Sequence, residues 1–131
     1  MFLIIRQYIE QLKSFESCIE VFDLEIAKIY DTFDCKLHTI TGIDKTLAAV
    51  ILSEICGDIS KRGSPYLRRA IWLASFVAAF NDPVIHQFYE RKRADGKDHL
   101  NVMGHVCHKL LSIIFAVLRD NKPYVPAQTS P

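Results

Sequence analysis

Apolar residues recur at alternating spacings of three and four through the first 33 positions of the chain. The series consists of Ile5, Tyr8, Leu12, Phe15, Ile19, Phe22, Ile26, Ile29 and Phe33, here called the seam. This heptad spacing aligns all the seam residues along one stripe of a helix. Because no Gly or Pro interrupts residues 2–41, the pattern predicts one long N-terminal helix that presents the seam.

The seam needs a partner, because a single helix cannot bury an apolar stripe against itself. Two arrangements remain open: the seam docks on other helices of the same chain, or it pairs with a second protomer in a coiled coil. We favour pairing through residues 5–33, as a homodimer or a mixed dimer. The aromatic residues in the seam would also suit a groove on a globular partner.

Turn and capping signals divide the rest of the chain into shorter helices. Thr41-Gly42 is a turn signal, Asp44 can cap the next helix, and Gly57 can close it. Further helix starts are predicted at Ser64-Pro65, Asn81-Asp82-Pro83 and Asp98. The apolar face of the helix after Pro65 is expected to hold Leu67, Ala70, Ile71, Ala74, Val77 and Ala78.

No segment shows the sustained alternation of apolar and polar residues that marks a half-buried strand, so the fold class predicted is all-α. Residues 1–36 are expected to form a long coiled-coil helix. Residues 37–120 are expected to hold a helix-hairpin-helix unit followed by a small helical bundle. A flexible tail is expected over residues 121–131.

Size and cysteine usage indicate a folded intracellular protein. The chain has 131 residues, half of them apolar, which is enough for one domain with a core. Its four cysteines are widely spaced and include no Cys-x-x-Cys pair, a pattern typical of reduced thiols. The apolar N-terminus ends at Arg6 and is too short for a signal peptide or a membrane span. We therefore expect a cytoplasmic protein with no membrane partner.

The formal net charge of +1 conceals an asymmetry between the two halves of the sequence. Residues 1–60 carry five basic and ten acidic side chains, whereas residues 61–131 carry eleven basic and five acidic ones. The resulting charges, −5 and +6, indicate that the second half meets a polyanion. Two ordinarily solvated faces remain the alternative explanation.

The segment from Ile40 to Asp44 resembles the turn of a helix-hairpin-helix unit, which aims backbone N–H groups at a nucleic-acid phosphate. The usual core of that turn is hydrophobic-x-Gly-hydrophobic-Gly, and Asp44 replaces the second Gly here. A carboxylate at this position would repel the phosphate, so a plain packing corner between helices remains the alternative. The candidate DNA contacts in this turn are Thr41, Gly42, Ile43 and Lys45.

A second candidate DNA contact is the basic cluster Lys61, Arg62, Gly63, Arg68 and Arg69. Cations in the first turns of a helix oppose its dipole, so helix stability does not explain them, and a phosphate ligand would. Another patch, residues 91–93, ends a helix and needs no ligand, because cations there complement the dipole.

Metal binding and catalysis are not supported by the residue pattern. His99, His105, Cys107 and His108 are close in sequence, but on one helix no three of them converge. No cysteine has a base at motif spacing, and no Gly-rich phosphate loop or nucleophile elbow occurs. We therefore assign no catalytic residue, no metal and no cofactor.

Several segments together resemble the C-terminal transposase domain of the one-hundred-and-ten insertion-sequence family, whose members are related to Piv-type DNA invertases. The most specific is Lys61-Arg62-Gly63 with Leu67-Arg68-Arg69, followed by Asn81-x-Pro83 and Phe88-Tyr89. The resemblance also includes residues 37–44, 48–60, 96–97, 108–111 and 123–124. With the preceding coiled coil, it covers roughly residues 5–125.

The resemblance implies a recombinase that breaks and joins DNA, guided in some members by a structured RNA. Members combine an RNase H-like domain that holds divalent metal, a coiled coil, and a C-terminal domain that carries a serine nucleophile. This sequence begins just before the coiled coil, and it joins Ile59 directly to Ser60 where members have the serine-bearing segment. Ser60 and Ser64 match the downstream flank, so the nucleophile is assigned to neither.

The resemblance predicts a truncated, internally deleted remnant that retains DNA binding and dimerisation without catalysis, and it leaves enzymatic activity open. By the same resemblance, Gly42 and Ile43 would face DNA, while the basic cluster would contact the nucleic-acid backbone. Expected partners are DNA and, as a second candidate, structured RNA. The alternatives are a helical coiled-coil interaction protein with no nucleic-acid role, or a chain that folds poorly because deletion exposes apolar surface.

Overall fold

The computed structural model describes residues 1–56 and 63–126, and in these residues every regular element is helical. The five α-helices are α1 (Phe2–Asp31), α2 (Lys45–Cys56), α3 (Pro65–Asn81), α4 (Pro83–Ala94) and α5 (His99–Asp120). A short 3₁₀ helix, Leu37–Thr39, lies between α1 and α2. The predicted all-α class is confirmed. Gly57, the predicted end of α2, lies outside the described residues.

Helix α1 is a single uninterrupted helix of 30 residues, as the heptad pattern predicts. Within the part of the chain that the structure describes, α2 is the one other helix that it contacts. Residues 1–25 are exposed throughout, and Tyr30 is the buried residue that anchors the last turn of the helix. The helix ends at Asp31, so the last seam residue, Phe33, follows it rather than belonging to it.

The core is formed by α3, α4 and α5 with the inner face of α2. Helix α5 contributes six buried side chains and packs against both α3 and α4. Small residues on α3 let the neighbouring elements approach closely, with Ala74, Ala78 and Ala79 fully buried. Of the face predicted for α3, Val77 is the exception, because it is 44% exposed.

Local capping explains where the helices begin. Asp44 Oδ1 accepts the Leu47 N–H at 2.7 Å, and Ser64 Oγ accepts the Leu67 N–H at 3.1 Å. Asp98 Oδ2 accepts the Leu100 N–H at 3.1 Å. Each cap satisfies a backbone donor that the helix itself leaves unpaired, so these predicted starts are confirmed.

Asp82 joins three parts of the fold that are distant in sequence. Its buried carboxylate accepts the Val84 and Ile85 N–H groups at 3.0 and 3.1 Å and thereby caps α4. The same carboxylate accepts the Thr41 hydroxyl at 3.2 Å and the Tyr124 hydroxyl at 3.3 Å. The turn before α2, the start of α4 and the chain after α5 are therefore tied to one side chain.

The chain after α5 folds back on the body of the protein. Asn121 adopts a left-handed conformation, and the Tyr124 N–H donates to the Thr39 hydroxyl at 2.8 Å. Tyr124 also packs against the core. The first part of the segment predicted to be a flexible tail is thus in contact with the hairpin, while residues 127–131 lie outside the described residues.

Among the described residues, α5 alone has the length and hydropathy that a membrane span would require. Its apolar side chains include Val102, Val106, Leu110 and Ile114, all buried against the rest of the core. Burial in a protein core accounts for such a composition, so the helix is weak evidence for a span.

Candidate nucleic-acid interface

The turn at Gly42 packs tightly against α3. Gly42 has φ +90°, and a Cβ placed there would lie 2.6 Å from the carbonyl oxygen of Ala74 and 3.2 Å from Val77 Cβ. Ile43 is only 3% exposed, and its N–H donates to the Ile40 carbonyl at 3.0 Å. Gly42 therefore permits close approach of the turn to the α3 backbone, and the Ile43 side chain belongs to the core.

Acidic groups surround the polar candidates of this turn. The Asp44 carboxylate sits at the N-terminus of α2, where it offsets the positive end of the helix dipole. Lys45 Nζ forms an ion pair with Asp31 Oδ2 at 2.7 Å, and Thr41 donates to Asp82. The turn thus resembles a packing corner more closely than a phosphate cradle, although its outer backbone remains a candidate contact.

The start of α3 presents two exposed arginines. Arg68 and Arg69 lie in the first two turns of the helix, and the first turn contains no acidic residue. Both arginines border a groove of about 450 Å³ between α3 and α5. The groove is also lined by Pro65, Ile71, Trp72, Cys107 and Leu111. Of the rest of the predicted basic cluster, Gly63 is exposed with φ +68°, while Lys61 and Arg62 lie outside the described residues.

A further set of cations surrounds the junction between α4 and α5. Arg91 and Lys92 lie over the Phe88 ring, with their charged atoms 5.6 and 5.9 Å from its centroid. Lys97 Nζ lies 3.2 Å from His105 Nε2. Lys97 lowers the pKa of His105 below the ordinary value of 6.5, and partial burial, Lys92 and His108 act in the same direction.

The histidines and Cys107 of α5 face different neighbours. His99 Nδ1 is 2.8 Å from the Tyr89 hydroxyl, and His105 faces Lys97. Cys107 lines the groove beside the α3 arginines on another side of the helix. Within residues 1–56 and 63–126, no three histidine, cysteine or carboxylate side chains come together in a geometry that could hold a metal ion.

Two features of the site were not recognised from the sequence. Asp82 is predicted there only as the start of α4, whereas it also holds Thr41 and Tyr124. The pairing of Lys97 with His105 was likewise missed. The available signal was their spacing of eight residues across the predicted start of α5, which brings a residue before the helix close to its second turn.

Two curated insertion-element proteins are similar to this chain. One is the "Insertion element IS900 uncharacterized 42 kDa protein" of Mycobacterium paratuberculosis, which is 36% identical over 64 residues. The other is the "Insertion element IS110 uncharacterized 43.6 kDa protein" of Streptomyces coelicolor, which is 34% identical over 73 residues.

These similarities cover 49% and 55% of this chain but only 16% and 18% of the two relatives. They show that about half of the chain is similar to a part of two insertion-element proteins, which supports the resemblance to an IS110-family transposase-related region. The chain thus spans less than a fifth of the length of the curated relatives that it matches. No protein-family model matches the chain.

Proposed function

We propose that this chain is a cytoplasmic DNA-binding and self-associating module of a transposase-related protein. DNA is the polyanion that the positive second half of the chain contacts, and structured RNA is a second candidate of the same chemistry. The proposed activity is binding rather than catalysis. It rests on the similarity to insertion-element proteins together with the position of the α3 arginines.

The observation that carries the proposal is the pair of exposed arginines at the start of α3. Two cations in the first turns of a helix oppose the dipole, and a bound phosphate would offset that cost. Helix α3 also lies within the half of the chain whose net charge is +6.

The test is to replace Arg68→Ala and Arg69→Ala together and to measure duplex binding at several salt concentrations. Each lost phosphate contact reduces the steepness of log affinity against log salt by about one. The double variant should therefore have a slope that is shallower by about two. Arg6→Ala with Lys13→Ala, on α1, removes the same charge elsewhere and should keep the steepness of the wild-type slope. If the two double variants behave alike, the α3 arginines are not part of the interface.

Self-association is proposed through the seam, because most of α1 packs against no other part of residues 1–56 and 63–126. Leu12, Phe15, Ile19 and Phe22 are 59–67% exposed. The last seam residues, Ile26, Ile29 and Phe33, border an apolar groove of about 400 Å³ against α2. A second α1 would cover the stripe and bury large aromatic and aliphatic side chains.

Sedimentation of the full chain tests this pairing. Ile19→Glu places a charge in the middle of the seam and should convert a dimer to a monomer. Ser17→Glu adds the same charge away from the stripe and should leave the dimer intact. A wild-type chain that is a folded monomer would remove self-association from the proposal.

The exposed seam also supports the second candidate function, a helical interaction protein with no nucleic-acid role. Under that alternative the chain dimerises, or binds a helical partner, while its positive half is only solvated surface. The two functions separate in one comparison, because the alternative predicts dimerisation without salt-dependent binding to either duplex DNA or structured RNA.

A further inference from the structure

Lys92, Lys97 and His105 come together where α4 ends and α5 begins, and they are called the junction cluster here. Lys97 donates to His105 across 3.2 Å, which requires the imidazole nitrogen to act as an acceptor because an ammonium group has only donors. The loop between the helices is fixed by Arg93, whose Nη1 donates to the Lys97 carbonyl at 2.8 Å. The cluster therefore rests on two helices and a restrained loop.

Like charges meet in this cluster without an equal number of carboxylates. Lys92 pairs with Asp95, whose Oδ2 lies 3.8 Å from Lys92 Nζ, and a solvent-accessible pair at that distance contributes little. His105 is faced by Lys97 from the loop, by Lys92 from α4 and by His108 from its own helix. These cations make it costlier to protonate His105 in the free chain, and an anion between the groups would offset that cost.

We propose that the junction cluster binds a nucleic-acid phosphate and extends the α3 arginine surface across the outer face of α5. The inference rests on the proposed DNA-binding function and adds a second contact region to it. A phosphate offers acceptor oxygens to both ammonium groups and to a protonated His105. Lys92, which belongs to the patch at residues 91–93 that helix stability could explain, is then part of a binding site.

Helix geometry makes the two regions continuous. Cys107 shares the groove with Arg68 and Arg69 on one flank of α5, while His105 faces Lys97 on the other flank. At about 100° per residue, His108 projects between these two flanks on the side away from the buried Val106 and Leu110. Its exposed imidazole therefore lies between the two regions on the surface of α5.

The site should also make binding depend on pH. Lys97 and Lys92 hold the pKa of His105 below 6.5 in the free chain, and a phosphate beside the imidazole would raise it. The complex then binds more protons than the free chain, so affinity must increase as pH falls through that pKa. Each tenfold increase in the proton affinity of the imidazole on duplex binding corresponds to about tenfold tighter binding at low pH.

The experiment measures binding of the full chain to a labelled DNA duplex against salt, at about pH 7.5 and about pH 5.5. Lys92→Gln with Lys97→Gln should lower the salt slope by about two. His105→Asn should remove most of the gain in affinity on acidification while changing affinity at the higher pH by less than about twofold. Lys13→Gln with Lys28→Gln on α1 is the matched control and should keep the wild-type slope and pH response.

Circular dichroism confirms that each variant is folded, and NMR titration of His105 with and without the duplex reports its pKa directly. A rise in that pKa on duplex binding, together with the reduced slope, supports the junction cluster. Wild-type binding with a steep slope that Lys92→Gln and Lys97→Gln leave unchanged would overturn this inference and leave the proposed function standing. Absence of wild-type binding would overturn both.

Discussion

Replacing Gly42 by alanine should destabilise the protein more than the same change at any other described glycine. The residue has φ +90°, and an added Cβ would lie 2.6 Å from the Ala74 carbonyl oxygen. The left-handed conformation costs an L-residue about 1–2 kcal/mol, and forcing extra volume against a packed backbone costs about 1–3 kcal/mol more. We expect Gly42→Ala to lower the free energy of unfolding by about 3 kcal/mol.

Two other glycines separate these contributions. Gly96 has φ +77° but nothing within 4 Å of an added Cβ, so Gly96→Ala measures the conformational cost alone, about 1 kcal/mol. Gly104 lies inside α5 with open space around it, so Gly104→Ala should stabilise the protein by about 0.5–1 kcal/mol. The series thus runs from a gain in stability to a large loss.

Urea denaturation followed by circular dichroism gives the free energy of unfolding for all three variants. The denaturation midpoint should be lowest for Gly42→Ala and highest for Gly104→Ala, with similar dependence on urea. If Gly42→Ala and Gly96→Ala agree within about 0.5 kcal/mol, the close approach of the turn to α3 does not exist in solution. The role of Gly42 as a packing residue would then be refuted.

Two further predictions concern the polar contacts that hold the hairpin to the rest of the fold. Asp82→Ala removes the α4 cap and leaves the Thr41 and Tyr124 hydroxyls without their acceptor, so the free energy of unfolding should fall by about 3 kcal/mol. Asp82→Asn keeps a capping oxygen, so its free energy of unfolding should fall by only about 1 kcal/mol. Equal losses for the two variants in urea denaturation would contradict this role of the carboxylate. Burial raises the pKa of Tyr30 and of Tyr124 to about 12, so these two tyrosines should titrate late by ultraviolet absorbance. Stability should be lost as pH rises from 10.0 towards 12, because the unfolded chain loses those two protons first. Titration of all five tyrosines together near pH 10.0 would show that these two hydroxyls are not buried.

Helix positions could be predicted from the sequence because each depends on residues a few positions apart. Asp44, Ser64 and Asp98 cap helices through bonds to N–H groups two or three residues away, and their sequence context is sufficient. The apolar spacing likewise predicts α1, since its period alone fixes which side chains share a face.

Contacts between distant residues could not be predicted in this way. Asp82 meets Thr41 and Tyr124 across 41 and 42 positions, and only the packing of α2, α3 and α5 brings these groups together. The same holds for the Gly42 turn, where a motif typical of phosphate binding and a packing corner share one sequence pattern. The small residues of α3 permit the close approach, and they therefore decide that this turn forms a packing corner.

Duplex titration at several salt concentrations tests the proposed DNA binding most directly. Purified chain, shown to be folded by circular dichroism, is titrated into a labelled DNA duplex and separately into a structured RNA. We predict binding to DNA whose affinity falls steeply with salt, because several phosphates would be neutralised by the arginines and lysines of the second half. A folded, monodisperse chain that binds neither nucleic acid at low salt would contradict the proposal.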